Sequence, residues 1–197
     1  MTDRPSPCAE LLDERCATKF RVQFGKLLSA SSTVDTAILR IRLGAVDLSA
    51  RELKNLRRLR VLVAEVNAQT VEGETYALVM DPEKRQNLTR LLNLLQKGIL
   101  QIRSAPLGGW SPDFSVFSLN HVPQAVLLGL HWFYRPFPHR GPAWAARFGA
   151  REASRAQARF HELWDGAHDI GPAILRMMER TSDRAPADPV DTPKCPG

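Results

Sequence analysis

The side chains best suited to chemistry are gathered in one stretch, His131-Trp132-Phe133-Tyr134-Arg135-Pro136-Phe137-Pro138-His139-Arg140-Gly141-Pro142. Guanidinium and imidazole groups can donate hydrogen bonds to a phosphate, and ring faces can stack on a base. His131, Arg135 and His139 are therefore the candidates for acting on a phosphodiester, and Arg135 and Arg140 for holding one. The same residues also have a structural reading. Trp132, Phe133 and Phe137 would pin a long loop onto a sheet, with the prolines stiffening it. Both readings remain open at this level.

Two groups of cations add to this. Arg147, Arg151, Arg155 and Arg159 recur at every fourth residue, which places them on one flank of a helix, opposite a stripe of Ala153, Ala156, Phe160, Leu163 and Ala167. A row of guanidiniums can follow a phosphate backbone, or it can simply be a solvated face. The second group is Arg40, Arg42, Arg51, Lys54, Arg57, Arg58 and Arg60, opposed by Asp47 and Glu52. Arg57 and Arg58 are its candidates for contacting nucleic acid. Arg40 and Arg42 share one strand face and need partners if that face is covered.

Other chemistries find little support. His161 and His168 stand seven apart, about 10.5 Å along a helix, too far to share a metal ion. Gly108-Gly109 is a turn and not a phosphate loop. A Ser111, His131 and Asp113 triad can be drawn, but nothing in the spacing favours it. No metal and no cofactor is expected.

Positioning these residues requires a substantial scaffold. The chain has 197 residues, 44% hydrophobic and 24% charged, enough for one domain with a real core. Its net charge of +6 permits a polyanionic partner without requiring one. No apolar run approaches the roughly 18 residues that a membrane-spanning helix needs, so no membrane partner is expected. Met1–Pro7 has no signal-peptide pattern, and Cys8, Cys16 and Cys195 are an odd set near the ends. The expectation is a cytoplasmic protein with reduced thiols. Residues 1–10 and 181–197 are expected to be disordered, around a single domain at 11–180.

Periodicity predicts helices over Leu11–Ser29, Ala50–Leu56, Asp81–Lys97 and Gly149–Asp169. Ser49 is the expected N-cap of the second, and Gly98 the residue that ends the third. Strands are predicted at Val34–Leu43, Arg58–Val66, Ile99–Ser104, Phe114–Leu119 and Gln124–Leu130. The unalternating run Val61-Leu62-Val63-Ala64 reads as a central parallel strand covered on both faces. Asn67–Tyr76 reads as a polar loop. The expected fold class is α/β: a mixed, largely parallel sheet flanked by helices.

Three segments within this pattern resemble one half-unit of the phospholipase D-like superfamily. FGKLLSASSTVDTAILRI (Phe24–Ile41) is similar to its opening helix and strand. DPEKRQNLTRLLNLLQKGILQIR (Asp81–Arg103) is similar to the helix and strand that precede its active motif. ARFHELWDGAHDI (Ala158–Ile170) is similar to its closing helix, where a Phe and a Trp pack on the sheet. The family motif, His-x-Lys-x-x-x-x-Asp, works in pairs: one His attacks phosphorus, the other protonates the leaving oxygen, and the Lys neutralises charge. In this register the positions hold Ser111, Asp113 and Ser118, so a carboxylate stands where an ammonium should.

The resemblance therefore implies a catalytically degenerate protein that binds DNA or RNA as an accessory to a bacterial defence or DNA-modification system. Two alternatives stand beside it. One is a homodimeric phosphodiesterase or nuclease with a diverged site around His131 and Arg135, completed across a twofold axis. The other is a structural subunit docking a helicase or nuclease.

Overall fold

The computed structural model describes residues 10–12, 17–41, 43, 49–105, 113–129 and 145–184. Its organising element is the apolar run that includes Val61 and Val63, which lies in strand β3 (Arg58–Glu65). β3 pairs in parallel with β2 (Thr33–Arg40) on one side and β4 (Leu100–Ser104) on the other. A strand with partners on both edges and cover on both faces has no use for polar alternation. The hairpin β5 (Phe114–Leu119) and β6 (Val122–Gly129) continues the sheet beyond β2, with β5 antiparallel to β2. β1 (Glu10–Leu12), β7 (Ala145–Phe148) and β8 (His168–Asp169) complete the order β1-β7-β6-β5-β2-β3-β4-β8.

The sheet is mixed and flanked by helices, as expected. Its parallel share is smaller than expected. Only the β2–β3 and β3–β4 pairings are parallel, and the other five are antiparallel. The reason lies in the connections: two helical crossovers build β2-β3-β4, whereas β5, β6 and β7 follow one another antiparallel.

One face packs against α1 (Ala17–Ala30), α3 (Ala68–Met80), α4 (Pro82–Gln96) and α6 (Gly171–Arg184). Phe24, Leu28, Leu59, Val61, Val63, Leu91, Ile102, Phe117 and Met178 are buried in that layer. The other face carries Ala37, Leu62, Val116 and Val126, and is covered by Ala153, Phe160 and Trp164 of α5 (Ala150–Asp165). Phe160 and Trp164 thus pack on the sheet, as the family likeness implies.

Local signals account for several boundaries. Ser49 caps α2 (Ala50–Leu53) with a reciprocal pair: its hydroxyl accepts from the Glu52 amide and its own amide donates to the Glu52 carboxylate. Gly98 ends α4 with φ +65°, which a glycine adopts freely. Other elements differ from expectation. The segment read as a polar loop at Asn67–Tyr76 belongs to α3, capped by the Asn67 side chain accepting from the Thr70 amide at 3.2 Å. The first helix begins at Ala17, and Glu10–Leu12 is a strand on β7. α6 extends to Arg184, past the boundary expected at 180. Pro172 suits its first turn because a proline there gives up no helical hydrogen bond. Among the described residues no helix is long and apolar enough to cross a membrane.

Candidate nucleic-acid interface

Three sites follow from this frame. The first is the edge where β2 ends and β5 begins. Strands β3 and β4 are laid down to one side of β2, and β5, β6 and β7 to the other, so this edge is the topological switch point where open α/β sheets place their ligands. Asp113 sits here, its Oδ1 accepting from the Leu39 amide at 2.8 Å. Beside it Arg40 pairs with Glu65 at 2.6 Å, both exposed. A shallow cavity of about 350 Å³ is lined by Arg40, Ile41, Glu65, Val66, Asn67 and Thr70. Arg40 is exposed, so this end of the strand face is not covered and its pairing with Glu65 is a surface contact.

Burial pushes the Asp113 carboxyl above the ordinary 3.8, and the Leu39 amide offsets this only in part. Ionised Asp113 thus destabilises the fold above its raised value, and that cost vanishes once the group is protonated below about 3.8. Asp113→Asn keeps an acceptor for the Leu39 amide and removes the charge. The variant should melt higher than the parent at pH 7, with the gap closing as pH falls toward 4; calorimetric melting temperatures across that range check it.

The second site is the outer face of α5. Arg151, Arg155 and Arg159 are all exposed, about 6 Å apart along the axis. Arg159 pairs with Glu162 at 2.8 Å, an exposed contact that holds it weakly. Arg147, expected at the head of this row, lies instead in β7, where it is opposite Glu10 in the strand register. The row therefore has three members on the helix. Arg57 is exposed at the start of β3, and Arg58 beside it is half-buried, with an enclosed Nε that has no hydrogen-bond partner among the described residues.

The third is a polar network beneath α5 that the sequence reading missed. Asp35, 1% exposed, accepts a two-pronged contact from Arg60, Nε to Oδ1 at 2.7 Å and Nη2 to Oδ2 at 2.8 Å. The same Nη2 lies 2.7 Å from His161 Nε2. A guanidinium only donates, so Nε2 accepts and the His161 proton sits on Nδ1. Gln157, one turn earlier on α5, bridges Asp35 Oδ2 and Ser118 Oγ at 3.4 and 3.2 Å. Arg60 also lies over the Phe160 and Trp164 rings, 5.0 and 5.3 Å from their centroids, and Arg103 lies 4.7 Å from that of Trp164. The signal for this cluster was present: Asp35 stands alone in an apolar strand, and a buried carboxylate requires a cation.

His131, Arg135, His139, Arg140 and Ser111 lie outside the described residues, as do Arg42, Asp47 and the three cysteines. Among the described residues no group of three or more His, Cys, Asp or Glu is placed to hold a metal.

No protein-family model matches the chain. No curated protein matches it either. Among solved structures it is similar to the phospholipase D family member Nuc from Salmonella typhimurium, with 9% identity and a TM-score of 0.49 over 82% of this chain and 96% of that one. It is similar to NucT from Helicobacter pylori, with 12% identity and a TM-score of 0.47 over 82% and 98%. The archaeal chromatin protein TrmBL2 overlaps 86% of this chain and 56% of its own, with 12% identity and a TM-score of 0.48. Overlaps of this quality assign no residue of this chain a role.

Proposed function

We propose that the chain is a phospholipase D-like half-unit that binds nucleic acid without cleaving it, through the basic outer face of α5 and the arginines at the start of β3. The observation that carries this reading is the exposed row Arg151, Arg155 and Arg159, with Arg151 and Arg155 free of ion-pair partners among the described residues. Three cations spaced along about 12 Å of helix can engage successive phosphates of a backbone. The absence of cleavage is supported by the switch-point edge, where Asp113 presents a carboxylate. A carboxylate at that place repels a phosphodiester, whereas catalysis of its cleavage needs positive charge.

The test is binding of fluorescent duplex DNA and RNA by anisotropy between about 50 and 200 mM salt, the range over which phosphate contacts weaken strongly. The triple variant Arg151→Ser/Arg155→Ser/Arg159→Ser should flatten the plot of log Kd against log salt by about two to three, close to one phosphate per arginine. An unchanged slope removes the row from the interface. Cleavage of either duplex by the parent protein removes the non-catalytic part of the reading.

A further inference from the structure

On the opposite edge of the sheet from Asp113, the β5–β6 hairpin ends in a two-residue turn, Asn120-His121, with φ of 48° and 68°. Turns of this kind need left-handed backbone at both central residues, and glycine usually fills the second. Here a histidine occupies it, keeping an exposed imidazole at the tip at the expense of backbone ease. Leu119 and Val122 form the last cross-strand pair below the tip, 45% and 57% exposed. The hairpin is nevertheless braced. The Asn120 amide donates to Ser32 Oγ at 2.9 Å, and the Ser32 carbonyl accepts from the amides of Arg57 and Arg58 at 2.8 and 3.3 Å.

We infer that this tip is a wedge that enters a disturbed step of a nucleic acid, with a neighbouring phosphate held by Arg57 and Arg58. The inference rests on the nucleic-acid reading above and adds a second contact to it. β5 and β3 both flank β2, so the tip and the arginines are separated by two strand spacings, about 10 Å, within reach of one backbone. Apolar side chains inserted between bases beside phosphate-binding cations are a known means of unstacking a step, and this is easiest where pairing is already lost.

The probe is a short DNA duplex carrying 2-aminopurine beside a central mismatch, compared with the fully paired duplex. The parent should bind the mismatched duplex about tenfold more tightly and raise the 2-aminopurine fluorescence as the base unstacks. Leu119→Ser/Val122→Ser alters only exposed side chains. It should abolish both the preference and the fluorescence rise while leaving the melting temperature and the paired-duplex Kd unchanged. Arg57→Gln should weaken both duplexes equally and lower the salt slope by about one. If the parent binds DNA but shows no preference, or the hairpin variant retains it, the wedge is wrong and the nucleic-acid reading stands. Failure of the parent to bind either duplex at low salt removes both, and leaves the tip as a surface for another protein.

Discussion

Arg60→Met is expected to destabilise the protein by about 3–5 kcal/mol, the usual cost of leaving one member of a buried ion pair without its partner. Asp35 is almost wholly enclosed and has two oxygens facing the Arg60 guanidinium. After the substitution its nearest remaining donor is the Gln157 amide at 3.4 Å, and the exposed His161 presents its Nε2 only at 3.8 Å. Neither replaces a two-pronged cationic contact. Asp35→Asn should cost a comparable amount, because it strands the guanidinium beneath α5. The double variant Asp35→Asn/Arg60→Met contains no buried charge and should recover much of the loss. Urea unfolding of the four proteins gives the coupling energy directly. A double variant as unstable as the sum of the two singles would show that the pair does not act as a unit.

The same pair marks where the sequence was legible and where it was not. The β2-β3-β4 core could be read because it consists of apolar runs with clear stops, such as Val61-Leu62-Val63 and the Gly98 terminus. The capping box at Ser49 and Glu52 was equally local. The polar network was not legible as a cluster, because Asp35, Arg60, Ser118, Gln157 and His161 come from four elements and meet only through register. Asp35 faces Arg60 across a parallel pairing, and α5 then crosses above both. Sequence spacing contains none of that. α3 was missed for a different reason: Gly73 and a run of exposed polar residues hide the Val71, Thr75 and Leu78 stripe that it buries. Arg147 was misplaced because its four-residue spacing from Arg151 continues the helical rhythm beyond the Gly149 N-cap, where the chain has already become β7.

Trp164→Ala should cost a further comparable sum, about 3–5 kcal/mol for a large aromatic removed from a packed core. Trp164 is 5% exposed and stacks on Phe160, with ring centroids 5.4 Å apart. Both Arg60 and Arg103 lie over its ring, and such contacts contribute about 0.5–2 kcal/mol each depending on their exposure. Arg103 keeps its bond to the Trp164 carbonyl at 2.9 Å, because that acceptor is backbone. Trp164→Phe, which retains a ring beneath both cations, should lose markedly less than the alanine variant. The alanine variant and Arg60→Met should combine sub-additively, since each removes the Arg60–Trp164 contact. The effect bears on the proposed function through α5 itself. The helix presents Arg151, Arg155 and Arg159 outward only because Ala153, Phe160 and Trp164 fix its inner face on the sheet. Loosening the Trp164 end should therefore raise amide exchange in the last turns of α5 and weaken nucleic-acid binding without removing a single positive charge. Equal affinity in a variant that exchanges faster would show that the arginine row does not depend on a fixed helix.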